Sequence, residues 1–102
     1  MGLNVGDYSF DGPYDSTEKL EDKSGVYMIV CPRDDKYAPV DCGESAEVKS
    51  RVENHDRKDC WNRNCSGALK FAVYYTPNLG SSGRAEIEQK IRSKYNFPCG
   101  VR

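Results

Sequence analysis

Apolar residues occur in a few short runs whose spacing predicts strands. The run from Ser24 to Cys31, SGVYMIVC, is followed by a polar turn at residues 32–35 and then by VDCGES. This order is typical of two strands joined by a hairpin. The run from Leu69 to Thr76, LKFAVYYT, is rich in aromatic and β-branched residues and predicts a third strand.

The next segment, EVKSRVENH, has helical periodicity. Val48 and Val52 lie four residues apart and form an apolar stripe on a helix. Arg51 and His55 are also four apart, and both lie beside that stripe. We therefore expect this helix to direct a guanidinium and the only imidazole of the chain towards the sheet.

A second helix is predicted over RAEIEQKIRSKY, where Ile87 and Ile91 repeat along one face and Glu88 lies at its edge. The element order is strand, strand, helix, strand, helix. This order predicts an α+β fold with a small three-stranded antiparallel sheet flanked by helices.

The composition agrees with one globular domain, because 37% of the 102 residues are hydrophobic and 30% are charged. Residues 1–24 contain turn residues interspersed with aromatics, and they predict a lead segment packed on a domain of residues 25–102. No run is long enough for a membrane span, and the N-terminus has no signal-peptide pattern. We expect a cytoplasmic protein whose five cysteines are reduced.

Charge is distributed unevenly. Residues 1–24 carry six acidic and two basic side chains, whereas residues 46–102 carry six acidic and eleven basic ones. A polyanionic partner would therefore contact the C-terminal half. The polar loop HDRKDCWNRNCSG fits two interpretations: it binds a nucleic-acid backbone and stacks Trp61 on a base, or it is a solvated loop anchored by a buried indole.

Several polar side chains have the chemistry that phosphodiester hydrolysis requires. The reaction needs a group that activates water, a cation that stabilises charge on phosphorus, and usually a carboxylate that binds a divalent metal. The predicted strands and helices supply all three types: Tyr27, Asp41, Glu44, Arg51, His55 and Glu88.

These residues resemble the motifs of the GIY-YIG nuclease superfamily. The similarity rests on Gly25-Val26-Tyr27, then Asp41-Cys42-Gly43, then Arg51 eight positions after that glycine, then His55, and then Glu88 in IEQKIRSKY. It extends from about residue 25 to residue 95. The resemblance implies a GIY-YIG-like fold and a metal-dependent endonuclease with DNA as the expected partner.

The resemblance also implies individual roles. Tyr27 matches the tyrosine proposed to activate water, and Arg51 matches the arginine that contacts the phosphate. Glu88 matches the glutamate that binds a divalent cation, usually Mg²⁺. His55 falls where some homing and restriction members have a histidine. Because a tyrosine titrates near pH 10 and a histidine near neutrality, Tyr27 and His55 both stay candidates for the base.

The sequence departs from the family pattern at two positions. Asp41 replaces the tyrosine of the second motif, and a carboxylate there is a candidate second metal ligand beside Glu88. The asparagine that the family has beyond the last helix has no clear counterpart. A catalytically silent binding module on the same fold is therefore the alternative to an enzyme.

Two further interpretations stay open. His55, Cys60 and Cys65 are separated by four residues each, and Cys99 could join them in the zinc site of a zinc-stabilised interaction protein. Glu88 has an arginine four residues away on each side, so it also fits an ordinary ion-pair row on a helix. As a nuclease of this size, the chain is expected to have weak sequence preference or a protein partner that supplies specificity.

Overall fold

The computed structural model describes residues 2–100, and these form a single antiparallel sheet of five strands. The strands are β1 (Gly2–Val5), β2 (Tyr8–Tyr14), β3 (Gly25–Arg33), β4 (Lys36–Ser45) and β5 (Lys70–Tyr75). They lie in the order β1-β2-β5-β3-β4, and every neighbouring pair is antiparallel. The predicted three-stranded sheet flanked by helices is therefore wrong. The ends of the two predicted domain ranges, at residues 1, 101 and 102, lie outside the described residues.

The two additional strands come from the predicted lead segment. β1 pairs with β2, and β2 pairs with β5. The alternating pattern is weak there because Gly12 and Pro13 lie inside β2, where the register with β5 shifts between Asp11 and Tyr14. Glycine and proline inside a strand are typical of such irregular positions.

Three helices cover the sheet: α1 (Val48–Glu53), α2 (Lys58–Arg63) and α3 (Ser81–Lys94). The two predicted helices are confirmed, although α1 ends before His55. The segment predicted as a polar loop contains α2, whose buried residue Trp61 gives no repeating apolar pattern. Within residues 2–100, no helix is long and apolar enough to span a membrane.

Strand β3 is the centre of the core, since Gly25–Cys31 is buried without interruption. A strand is buried along its whole length when both faces of its sheet are covered. Its alternate side chains belong to two apolar clusters. Val26, Met28 and Val30 pack in the cluster that includes Ile87 and Ile91 of α3. Tyr27, Ile29 and Cys31 pack in the cluster that includes Val48 and Val52 of α1 and Trp61 of α2.

Strands β3 and β4 form the predicted hairpin. The turn residues Asp34 and Asp35 have φ angles of 52° and 65°. Two consecutive residues in the left-handed region are typical of a type I′ turn, whose twist matches that of the flanking strands. The hairpin therefore places β4 beside β3 and at the edge of the sheet.

An irregularity in β4 orients its polar residue. Ile29 lies opposite Asp41 and Val30 lies opposite Pro39, so Val40 is the extra residue of a bulge. The Val40 carbonyl accepts a hydrogen bond from the Cys99 N–H at 3.1 Å. The bulge thus attaches the segment after α3 to the edge of the sheet, next to Asp41.

Four of the five cysteines are paired, so the expectation of reduced thiols is wrong for them. Cys31 is bonded to Cys65, with 5.7 Å between their Cα atoms, and Cys60 is bonded to Cys99, with 5.9 Å. The Cys60–Cys99 disulfide joins α2 to the segment after α3. Cys42 is a buried free thiol, so the expectation of a reduced cysteine is correct for this residue.

Reduction of the disulfides is expected to destabilise the fold. The bonded cysteines are 34 and 39 residues apart, and closing loops of this length lowers the entropy of the unfolded chain. Each bond should contribute about 4 kcal/mol to the free energy of unfolding. Urea denaturation of the Cys31→Ser/Cys65→Ser and Cys60→Ser/Cys99→Ser variants measures each contribution.

Alkylation provides the control for this prediction. Iodoacetamide should modify one cysteine, Cys42, when the oxidised protein is unfolded without reductant, and all five after reduction. Modification of all five cysteines without reductant would contradict the pairing.

Candidate functional site

The candidate site is built around Tyr27, on the face of the sheet that α1 and α2 cover. Tyr27 lies in β3 directly opposite Gly43 of β4. A Cβ atom at residue 43 would overlap Oη and Cζ of Tyr27. Gly43 therefore leaves the space into which the phenol extends over β4.

The Tyr27 phenol contacts the only histidine of the chain. Tyr27 Oη lies 2.7 Å from Nε2 of His55. His55 does not lie on α1 as predicted but follows the Asn54 C-cap of that helix. Its ring packs on Trp61, with 4.6 Å between the ring centroids. Tyr27 is 2% exposed and His55 is 5% exposed, so the contact is shielded from solvent.

The second ring nitrogen determines the direction of this hydrogen bond. His55 Nδ1 lies 3.1 Å from the backbone nitrogen of Arg57, whose N–H donates to it. A backbone N–H is only a donor, so Nδ1 is the acceptor and the neutral ring carries its hydrogen on Nε2. His55 therefore donates to the Tyr27 oxygen, and neither imidazole nitrogen keeps a lone pair for a proton from water.

Burial keeps both members of the pair neutral. Burial lowers the pKa of His55 to about 4, and the positive charges of Arg51 and Arg57 act in the same direction. Burial also raises the pKa of Tyr27 to about 12, although Arg51 opposes this shift. At pH 7 the pair is thus an imidazole and a phenol.

Arg51 brings positive charge to the pair from α1. It is close enough for its charge to lower the pKa of both Tyr27 and His55. Its Nη2 atom lies 3.1 Å from Oδ1 of Asp56, with Arg51 38% exposed and Asp56 72% exposed. Exposed ion pairs of this kind contribute little stability, so the guanidinium can exchange partners at low cost.

Glu88 approaches from α3, on the other side of the β4 edge. It is 6% exposed, and its Oε2 accepts a hydrogen bond from Arg92 Nε at 3.1 Å. Its negative charge raises the pKa of Tyr27 and of the buried Cys42 thiol. The sequence predicts that Glu88 pairs with an arginine four residues away on the helix, and Arg92 is such a partner. Arg84, on the other side, pairs with Glu44 of β4 at 2.8 Å.

Asp41 is fully buried and is not placed as a metal ligand. Its Oδ1 accepts from the Cys42 N–H at 2.8 Å, from Arg92 Nη2 at 2.7 Å and from Arg57 Nη2 at 3.3 Å. Its Oδ2 accepts from Arg57 Nε at 2.8 Å and from Trp61 Nε1 at 2.7 Å. Burial opposes its ionisation, but the hydrogen bonds from Arg57 and Trp61 hold the pKa of Asp41 below its usual value. A cation on Asp41 would have to displace these donors.

Of the two residues that the sequence predicts for a metal, Glu88 alone stays a candidate ligand. Mg²⁺ in phosphoryl-transfer sites is commonly bound by one or two carboxylates, together with waters and substrate phosphates. Glu88 supplies one buried carboxylate, and a cation there would share it with Arg92. Across residues 2–100 there is no group of three or more His, Cys, Asp and Glu side chains that could hold a metal by themselves.

The four residues considered for zinc do not form a site. Cys60 and Cys65 are each bonded to another cysteine, and His55 is occupied by Tyr27 and Arg57. Disulfide sulfurs lack the thiolate charge that binds zinc. In this structure these four residues therefore cannot bind zinc together.

Arg57, Trp61 and Arg92 belong to the site, although the sequence did not identify them as members of it. The interpretation of Trp61 as a buried anchor is the correct one of the two, since it is 1% exposed. Asp41 is the feature of the sequence that could have indicated these three residues, because a carboxylate in an apolar strand needs cationic or N–H partners.

Replacing Gly43 by alanine is expected to destabilise the protein by about 1 to 3 kcal/mol, because the new methyl group would overpack against the Tyr27 phenol. Urea denaturation measures this loss. Gly67→Ala is the matched control, since a Cβ there meets no atom within 4 Å. Equal effects of the two substitutions would contradict the close approach of Tyr27 to Gly43.

The low pKa of His55 should make stability depend on pH. The imidazole titrates near 6.5 in the unfolded chain and near 4 in the folded one. The unfolded state therefore binds a proton first as the pH falls, and stability present above pH 6.5 is lost towards pH 4. Protonation of His55 should therefore lower the free energy of unfolding by about 3 kcal/mol between pH 7 and pH 4.

Urea denaturation of the wild type and of His55→Gln, at several pH values between 7 and 4, measures this dependence. The variant lacks the titrating group, so the difference in free energy of unfolding between the two proteins should shrink with acid. A difference that stays constant over this range would contradict the buried neutral imidazole.

Comparison with known proteins gives no match: no family model, curated protein or solved structure is similar enough to the chain to indicate its family.

Proposed function

We propose that the chain is a metal-dependent endonuclease of the GIY-YIG type that hydrolyses phosphodiester bonds in DNA. The observation that carries this proposal is the contact between Tyr27 and His55, at 2.7 Å across 28 residues of sequence. The charges of Arg51 and Glu88 act on the same phenol. These residues carry the sequence resemblance, and their interaction through one hydrogen bond and through charge supports the proposal.

Arg51 is proposed to bind the scissile phosphate. Of the two arginines whose charges act on the phenol, Arg57 is held by the buried Asp41, whereas the partner of Arg51, Asp56, is an exposed side chain that an anion can replace. A guanidinium also matches the geometry of two phosphate oxygens. Binding there would place the phosphate at the solvent side of the Tyr27–His55 pair.

Tyr27 is proposed as the group that activates water. Of the two candidates left by the sequence, His55 has both ring nitrogens engaged in hydrogen bonds. The Tyr27 oxygen receives a hydrogen bond from His55, and this bond favours the phenolate. With a pKa of about 12, which already includes the lowering by Arg51, Tyr27 is almost entirely a phenol at pH 7. Its proposed role therefore requires that a bound cation lower this pKa further.

Glu88 is proposed to hold the divalent cation, without Asp41. When bound, Mg²⁺ would polarise the phosphoryl oxygens and stabilise the leaving oxygen. The contribution of the chain is a buried carboxylate at the edge of β4, oriented by Arg92.

The alternative is a silent binding module on the same framework. The burial of Tyr27 and His55 favours it, because a base must reach the water that it activates. The engagement of Asp41 by structural donors agrees with this alternative as well.

A cytoplasmic location stays a prediction. Disulfides persist mainly in oxidising compartments, so the state of the four paired cysteines in protein isolated from cells bears directly on it. A preference for particular DNA sequences is expected to be weak or to come from a protein partner.

Nicking of supercoiled plasmid DNA in Mg²⁺ tests the enzyme proposal. Glu88→Ala is expected to reduce the rate at least about 100-fold, because it removes the metal ligand. The matched control is Glu86→Ala on the same helix, where the exposed Glu86 pairs only loosely with Lys90 at 3.8 Å. The control should cut DNA like the wild type.

Two results would contradict the proposal. Equal nicking by the wild type and Glu88→Ala would indicate a contaminating nuclease. If the wild type cuts no DNA and calorimetry shows no Mg²⁺ binding that depends on Glu88, the silent module is the correct description.

A further inference from the structure

Arg57 connects the buried Asp41 to the Tyr27–His55 pair through two different groups. Its guanidinium donates twice to the Asp41 carboxylate, at 2.8 and 3.3 Å. Its backbone N–H donates to His55 Nδ1 at 3.1 Å. The side chain of Arg57 therefore fixes the position of this residue, and its backbone N–H selects the tautomer of the His55 imidazole.

We propose that Arg57, anchored by Asp41, is a positioning residue that holds His55 in the tautomer that donates to the Tyr27 oxygen. The connection runs from β4 through the N-cap of α2 to the histidine and the phenol. It assigns to Asp41 a structural function at the position where the family pattern has a tyrosine. It rests on the proposed function only for its effect on the reaction rate.

The geometry favours positioning over a general contribution to packing. The Arg57 side chain is 30% exposed, so it fills little of the core. Asp41 is fully buried and bonded to β4, α2 and α3 at once, so it is the fixed end of the connection. Without the guanidinium, residue 57 keeps the backbone N–H that donates to His55 Nδ1. It loses the hydrogen bonds to Asp41 that fix the direction of this N–H.

Selective ¹⁵N labelling of histidine tests the proposal, because His55 is the only histidine and gives one pair of ring nitrogen signals. At pH 7 the wild type should show hydrogen on Nε2 and a bare Nδ1. Arg57→Ala should shift both signals towards a mixture of tautomers. The matched control, Arg63→Ala, removes an exposed arginine from the other end of α2 and should leave the signals unchanged.

Arg57→Ala is expected to stay folded, since Asp41 keeps its bonds from Cys42, Trp61 and Arg92. If it does not fold, Arg57→Lys decides in its place, because lysine keeps the charge but cannot form the two-pronged contact. A folded variant with the wild-type tautomer overturns the proposal. So does a wild-type protein with hydrogen on Nδ1.

The DNA-nicking assay supplies the second readout. Arg57→Ala should lower kcat about 10- to 100-fold and leave KM nearly unchanged, because it alters the orientation of a site residue and not the contact with phosphate. An unchanged kcat in a nicking-competent protein overturns the proposal while the proposed function stands. A shifted tautomer in a protein that cuts no DNA supports the positioning role and rejects the nuclease.

Discussion

The structure depends on satisfying one buried carboxylate. Asp41 is completely inaccessible to solvent, and an ionised carboxylate in such a place is very costly unless cations and N–H donors surround it. Five hydrogen bonds converge on its two oxygens, from a neighbouring backbone amide, an indole and two guanidinium groups. These donors come from strand β4, from helix α2 and its N-cap, and from helix α3, so the three elements are bound to a common point.

Several features that look independent follow from this requirement. The bulge at Val40 turns Asp41 towards α2. The Cys60–Cys99 disulfide holds α2 against the segment after α3, and Gly100 closes over the cluster, where a Cβ atom would meet Asp41 Oδ1 at 2.8 Å. β4, α2 and α3 are therefore held together around the Asp41 carboxylate. The two apolar clusters pack on the two faces of the sheet.

The periodicity of the sequence was sufficient to predict β3, β4 and β5 from their apolar runs, and α1 and α3 from apolar residues four positions apart. It was insufficient for β2, where Gly12 and Pro13 interrupt the alternation, and for α2, where one buried residue cannot show a period. β2, together with β1, decides the number of strands, and α2 supplies part of the surroundings of Asp41. The error in the predicted sheet therefore has a physical origin.

For the site, the sequence indicated residues that interact but not how they are bonded. Tyr27 and His55, 28 residues apart, form a hydrogen bond, and the charges of Arg51 and Glu88 act on the phenol. The disulfides and the direction of the Tyr27–His55 bond depend on three-dimensional contacts that spacing does not encode. Cysteine number alone is compatible with several pairings, and an imidazole is compatible with two tautomers.

In the proposed enzyme, the balance of charge would connect the buried pair to a bound cation. Burial disfavours both the imidazolium and the phenolate, and the nearby arginines make the imidazolium still less stable. The same arginines favour the phenolate, whereas burial, Asp41 and Glu88 disfavour it. A cation that neutralised Glu88 would remove one of the two opposing negative charges and so lower the pKa of Tyr27. Metal binding and activation of the phenol are thus coupled by electrostatics in the proposed enzyme.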